Sequence, residues 1–149
     1  MTLKVRAMQA CDIPAAVAMI EALTLHHGDA PRVTPESLAR DCTGEDPWIK
    51  LVVADMGGDL VGYVALSRLV WLQYGDRGIE MNHLFVQPEW RGKGVGQALI
   101  AAAKDAARAA GCVEMKVSTH PENLAAQEFY LAQGFASQEV TGARFRFYL

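Results

Sequence analysis

Apolar residues change their spacing several times along this chain, and each change marks an element. From Leu3 to Met8 they alternate as in a short strand. Ile13, Val17, Ile20 and Leu23 recur every three or four residues, which predicts a helix capped by Asp12, with Pro14 in its first turn, ending at Gly28. Thr34-Pro35-Glu36 opens a second, short helix, with threonine as cap and proline at the first helical position. Trp48 to Met56 is β-rich, Gly57-Gly58-Asp59 turns, and Leu60 to about Leu72 returns, which predicts a hairpin. A loop over Tyr74 to Gly78 precedes a strand from Ile79 to Val86. Val95 to Ala110 is helical, with a small-sided face (Ala98, Ala102, Ala106, Ala109, Ala110) suited to close packing on a sheet, and Gly111 ends it. Val113, Met115 and Val117 alternate with Glu114 and Lys116 as in a strand with one buried face. Asn123 caps a last helix that runs to Gln133 and stops at Gly134, and Phe135 begins β segments that close on Arg144 to Leu149. The order β-α-α-β-β-β-α-β-α-β-β predicts an α/β fold with a mixed central sheet of about seven strands and about four helices.

Composition narrows the class. The 149 residues fit one domain, 1–149, with a full core, and 51% apolar against 21% charged is an ordinary soluble balance. A formal charge of −3 disfavours nucleic acid as a partner. The longest apolar run, around Leu60 to Leu72, is interrupted by Ser67 and Arg68 and is too short to span a bilayer, so no membrane is expected. Residues 1–6 carry charge but no apolar signal segment. Cys11, Cys42 and Cys112 lack any pairing pattern, which predicts reduced, buried thiols and a cytoplasmic location. His26-His27, Cys11 and Cys42 do not have the spacing of a metal site.

The chemistry-bearing feature is the run Arg91-Gly92-Lys93-Gly94-Val95-Gly96, between an apolar strand (Leu84-Phe85-Val86) and a helix. A strand that passes through glycines into a helix leaves backbone N–H groups unpaired at the positive end of the helix dipole, which suits phosphate. The same glycines also serve a plain connector. The spacing fits neither the dinucleotide fingerprint G-x-G-x-x-G nor a Walker loop, because Gln97-Ala98 follows Gly96. What remains is R-x-x-G-x-G: Arg91, Gly94, Gly96.

This pattern resembles the pyrophosphate-binding signature of the GNAT superfamily of acyl-CoA-dependent N-acetyltransferases. A second motif, N-x6-Y-x3-G-F (Asn123, Tyr130, Gly134-Phe135), resembles the superfamily's other hallmark, and the element order resembles its fold along the whole chain. Tyr63 to Gly96 and Asn123 to Gly134 look most like polyamine acetyltransferases, although that group's acidic residue is replaced here by Asn82. The resemblance implies an N-acetyltransferase that moves acetyl from acetyl-CoA to a primary amine, of a small molecule or a protein, through a ternary complex. The alternative is a non-catalytic acyl-CoA-binding or regulatory module. By the same resemblance, Arg91, Gly92, Lys93, Gly94, Val95 and Gly96 hold the diphosphate. The pantetheine arm lies along Leu84, Phe85 and Val86, with a backbone N–H near Leu84 or Phe85 for the oxyanion.

Tyr130 is the candidate proton donor to the leaving thiolate, and Asn123, Ala126, Gln127 and Tyr130 share one helical face, which could line the sulfur. Glu80, eleven residues before Arg91, His83 and His120 are the candidate bases. Strict alternation puts Glu80, Asn82 and Leu84 on one face of the strand and His83 on the other. Asp29, Glu36, Asp41, Glu45 and Asp46 against Arg32 and Arg40 make the helix–loop region before the hairpin acidic, attractive to a cationic acceptor or simply solvated. Phe145, Phe147 and Leu149 alternate on the expected last strand and suit a homodimer contact.

Overall fold

The computed structural model describes residues 1–149, which fall into two compact units, Met1–Ser118 and Thr119–Leu149. The first contains one five-stranded sheet in sequential order: β1 (Leu3–Ala7), β2 (Lys50–Met56), β3 (Asp59–Trp71), β4 (Asp76–Val86) and β5 (Cys112–Val117). Neighbours are antiparallel except for β4 and β5, which run parallel. Only that last connection needs a crossover, and it is supplied by α3 (Val95–Ala109).

Register assigns the faces. Val53, Tyr63 and Phe85 are direct cross-strand neighbours and therefore share a face. They are buried in one cluster with Ala16, Met19 and Leu23 of α1 (Ile13–His26) and Leu38 of α2 (Pro35–Cys42). The alternate residues of β3 face α3. A methyl group on Gly62 would come within 3.2 Å of Leu99 Cδ1 and 2.7 Å of the Phe85 carbonyl oxygen, so only glycine lets α3 lie this close. Side chains such as Leu99 and Ile100 are almost wholly buried, each contributing about 1.5–3 kcal/mol of transfer free energy.

Several local expectations hold at the level of single bonds. Thr34 accepts from Ser37 N–H at 3.0 Å while Ser37 Oγ accepts from Thr34 N–H at 3.0 Å, and Pro35 leads α2. Asp12 caps differently from the expectation. Its carboxylate accepts from Gln9 N–H at 2.7 Å, stabilising the short 3-10 turn Ala10–Asp12, and makes no side-chain cap to α1. The same carboxylate binds Arg6 in a fork (2.7 and 3.0 Å), and Arg6 also reaches Asp55 at 3.0 Å, tying β1, β2 and the entry to α1. Those Arg6 bonds hold the Asp12 carboxyl below the usual carboxylate range.

Three expectations are corrected. The sheet has five strands, not about seven, because no residue beyond Val117 enters a strand. Alternation in Phe145 to Leu149 supplies β propensity, but a strand forms only where a neighbour completes its ladder, and here Phe145 (96%) and Phe147 (85%) stand exposed. The buried face of α3 is Val95, Leu99, Ile100, Ala103 and Ala107, not the stripe from Ala98 to Ala110. The large aliphatics bury more apolar area than alanines and so set the rotation of the helix. The cysteines are all unpaired, but Cys11 is exposed and Cys42 and Cys112 are half-buried. Burial pushes the Cys42 thiol up to about 11.

The second unit contains α4 (Leu124–Ala132). Asn123 caps it, accepting from Ala126 N–H at 3.1 Å, and Gly134, with φ +93°, ends it, followed by a Phe135 N–H bond to the Tyr130 carbonyl at 3.1 Å. No helix of the chain is long and apolar enough to cross a membrane.

Candidate active site

A one-residue bulge in β4 organises the site. Ala65 lies opposite His83, but the next residue, Leu66, lies opposite Met81, so Asn82 is the extra residue. Its amide hydrogen-bonds the Ser67 hydroxyl across the pair. The bulge resets the alternation. Glu80 opposes Ser67 and His83 opposes Ala65, and both partners lie on the face of Tyr63. Glu80 and His83 therefore share one face, the face covered by α1 and α2, where strict alternation had separated them.

Around His83 the site is partly apolar. Its Nδ1 lies 3.1 Å from the hydroxyl of Tyr63, and the two rings meet edge to face at 6.1 Å. The Tyr63 ring also packs on Phe85, at 6.0 Å. Desolvation, and next the charge of His27 at the end of α1, push the His83 pKa down, so its imidazole is neutral at neutral pH. Burial pushes the Tyr63 phenol up, which keeps its proton in place.

Beyond the bulge β4 also loses a neighbour. Its parallel register with β5 ends at Met81 opposite Val117. From His83 to Val86 the edge away from β3 carries no strand, so its backbone groups have no ladder partner there, and the Val86 carbonyl is taken by the Arg91 side chain. Leu84, Phe85 and Val86 form this stretch. Immediately after it come the 3-10 turn Pro88–Trp90 and the glycine run. Gly92 (φ +73°) and Gly94 (φ +85°) both adopt left-handed conformations, and Gly94 is the N-cap of α3. The first α3 bond runs from Ala98 N–H to the Gly94 carbonyl at 3.0 Å, so the N–H groups of Val95, Gly96 and Gln97 precede the helical ladder. A Cβ built on Gly92 would meet nothing within 4 Å, and one on Gly94 only Gln97 Oε1 at 4.0 Å. The cradle is open above its donors, and its shape and polarity fit a diphosphate.

The two cations of the run are braced by their surroundings. Arg91 Nε donates to the Val86 carbonyl at 2.9 Å and its guanidinium lies 5.9 Å from the Phe85 ring, while Lys93 Nζ lies 5.0 Å over Trp90. Both residues remain exposed and add positive charge at the helix start.

In the second unit, the Tyr130 ring meets Phe129 and Phe135 edge to face, each at 5.7 Å. Burial pushes its phenol up. The Asn123 side-chain oxygen is engaged in the cap, and Gln127 donates to the Pro121 carbonyl at 2.9 Å. His120 Nδ1 accepts from Glu122 N–H at 3.2 Å, a turn-forming bond. In the acidic stretch, Arg40 pairs with Asp41 at 2.8 Å, and Arg68 of β3 pairs with Asp46 at 3.1 Å. Two of the five acids are thus balanced, and Asp29, Glu36 and Glu45 carry what remains of the negative field.

A strand with an open edge that feeds an open, glycine-lined helix start is the arrangement the sequence motifs implied. The model of the acetyltransferase (GNAT) family matches residues 17–135, most of the chain and parts of both units. The chain belongs to the acetyltransferase (GNAT) family. Thialysine N-epsilon-acetyltransferase of Bos taurus is 29% identical over 123 residues, covering 77% of this chain and 71% of that protein. N-alpha-acetyltransferase RimI of Mycobacterium tuberculosis is 34% identical over 137 residues, covering 83% and 81%. Among solved structures, an aminoglycoside acetyltransferase from an uncultured soil metagenomic sample, in complex with sisomicin, superposes with a TM-score of 0.82 at 18% identity, over 98% of this chain and 97% of that one. That likeness shows the fold. The family uses acetyl-CoA as co-substrate, and the chain is an acyl-CoA-dependent amine acetyltransferase. Nothing in the comparisons favours a non-catalytic module.

Sequence reasoning missed Tyr63, whereas it had left His26-His27 as solvent-facing or pocket-lining. Tyr63 is the one polar side chain in the run Leu60 to Leu66, a signal that was visible. His27 is brought near His83 only by the packing of α1 on the sheet.

Proposed function

We propose that this chain transfers acetyl from acetyl-CoA to a primary amine, cationic in solution, in a ternary complex without a covalent enzyme intermediate. The observation that carries the reading is the continuity of the open β4 edge, His83 to Val86, with the free N–H groups at the start of α3. Gly92 to Gly96 hold the diphosphate through backbone donors, with Arg91 and Lys93 adding charge. Leu84, Phe85 and Val86 offer the pantetheine arm a strand edge, and a Leu84 or Phe85 N–H stabilises charge on the acetyl oxygen. Acetyl-CoA, when bound, supplies the activated acetyl group and a thiolate leaving group.

The amine must lose a proton before it attacks. Glu80 takes that proton through a water on the α1/α2 face, and His83 lines the same face. Tyr130 returns a proton to the thiolate. A buried phenol holds its proton more tightly than a thiol does, so the phenolate must be reprotonated quickly. Asn123 orients the start of α4 in this scheme. Asp29, Glu36 and Glu45 draw the cationic acceptor. The relatives named for thialysine and N-alpha acetylation support an amine of a small molecule or a polypeptide as acceptor. We also place a homodimer contact at the exposed Phe145, Phe147 and Leu149.

The test is thiol release from acetyl-CoA with a panel of polyamines, lysine analogues, aminoglycosides and peptide N-termini. Saturable, amine-dependent release is expected for at least one class. Tight CoA binding without release on any amine refutes the reading.

A further inference from the structure

Tyr63 is wholly buried, yet it carries a hydroxyl that must be satisfied, and its partner is His83 Nδ1 at 3.1 Å. Two arrangements are possible across this bond. If His83 donates from a protonated Nδ1, the hydroxyl hydrogen of Tyr63 is left in the core without that acceptor, while Nε2 is free to take a proton. If Tyr63 donates, Nδ1 carries the lone pair, Nε2 carries the hydrogen, and every buried donor is met. A buried donor left unmet is disfavoured by about tenfold or more in population, so the second arrangement prevails. The titratable groups that face His83 are Glu80, across the bulge on the same strand face, and His27 at the end of α1. Phe85 and the His83 ring itself flank the phenol, and Ala65 is the residue opposite His83.

We propose that Tyr63 is a positioning residue that donates to His83 Nδ1 and fixes the imidazole proton on Nε2, so that His83 serves the reaction as a hydrogen-bond donor and Glu80 is left as the base. This rests on the acetyl-transfer reading for the use made of His83, but not for the tautomer itself. The geometry has a plain cause. Alternation from Phe85, which lies opposite Tyr63, puts His83 on the face of Tyr63, and the bulge at Asn82 then brings Glu80 round to that same face. A neutral imidazole whose inner nitrogen is occupied presents only N–H to a substrate. Its natural counterpart is an oxygen that accepts a hydrogen bond, and the amine lone pair is left free for attack. Taking a second proton on Nδ1 would require Tyr63 to give up its bond, so the bond itself favours the neutral ring.

Two measurements decide it. Long-range nitrogen–proton correlation NMR on the intact chain, with His83→Gln to assign the signals, should show a protonated Nε2 and an unprotonated Nδ1 at neutral pH. A protonated Nδ1 overturns the proposal. Tyr63→Phe keeps the ring and removes the donor, so it should shift the ring to a mixture of tautomers and raise the pH at which His83 titrates. An unchanged tautomer and titration in that variant, folded by circular dichroism, also overturns it. Turnover supplies the functional arm. Glutamine carries an N–H near the position of Nε2, so His83→Gln should keep at least about a third of parent turnover while His83→Ala loses about tenfold or more. Equal, large losses in both variants mark His83 as the base and refute the donor assignment. If no amine is acetylated by the parent, the functional reading fails while the NMR result still decides the tautomer.

Discussion

Gly94 offers the sharpest test of the anion cradle, because its conformation and its open surroundings can be perturbed separately. At φ +85° any L side chain is strained, at about 1–2 kcal/mol. Spread over a chain of 149 residues, that strain lowers the melting temperature by about 2–8 °C. Gly94→Ala and Gly94→Trp both carry it. They differ in bulk: the nearest atom to the Cβ is Gln97 Oε1 at 4.0 Å, so alanine leaves the space at the helix start open, and the expectation for tryptophan is that its indole fills the space the diphosphate needs. Losing two charge-assisted bonds to a diphosphate costs about 3–6 kcal/mol, or more than about a hundredfold in affinity. Calorimetric titration with CoA, beside thermal unfolding of each variant, separates the two effects. The alanine variant should bind within about tenfold of the parent, and the tryptophan variant should not bind measurably. Parent-like affinity in a folded Gly94→Trp would remove the diphosphate from this turn. An alanine variant that loses as much as the tryptophan variant would move the cause from occupied space to backbone distortion.

Other consequences follow from the proton path and from the fold. Tyr130→Phe should lower turnover at least about tenfold with little change in acetyl-CoA affinity, read by steady-state kinetics and titration. Glu80→Gln should lose most rate below the acceptor's own pKa and recover as pH rises, whereas Tyr130→Phe should not recover; a flat pH profile for the Glu80 variant argues against a base there. Asp12→Asn should destabilise by about 1.5–3 kcal/mol, seen in urea unfolding, because it breaks the Arg6 fork. Because Arg6 depresses the folded pKa of Asp12, that contribution is fully present above the ordinary carboxylate pKa, and it fades as pH falls through the depressed value; the parent should lose stability there and the Asn variant less. Phe147→Asp should convert a dimer to monomer in light scattering without lowering the melting temperature of the monomer, since the residue is exposed.

Much of the fold was legible because it is encoded locally. Thr34-Pro35 begins α2 through a bond within three residues, and Gly57-Gly58 turns the hairpin at the expected place. The glycine turn into α3 was legible for the same reason: Gly92 and Gly94 sit in conformations that only their own sequence can license. Faces and partners were less legible. Alternation along Ile79 to Val86 counts residues evenly, but the pairing partner decides whether one is skipped, and the skip at Asn82 reversed where His83 points relative to Glu80. The alanine stripe on α3 was a true pattern that lost to Leu99 and Ile100, because rotation about the helix axis follows total buried area.

The sequence by itself determined the family, the strand–glycine–helix junction, the capped starts of α2 and α4 and the residue types available for proton transfer. These depend on backbone preferences and on motifs a few residues long. Tertiary structure alone decided that β4 parts from β5 after Met81, that Glu80 and His83 look onto one face, that Tyr63 holds His83 by one nitrogen, and that residues 136–149 form no strand. Each of those depends on which distant segment supplies the hydrogen-bonding neighbour, and the free energy of a strand or a buried polar pair belongs to both partners at once.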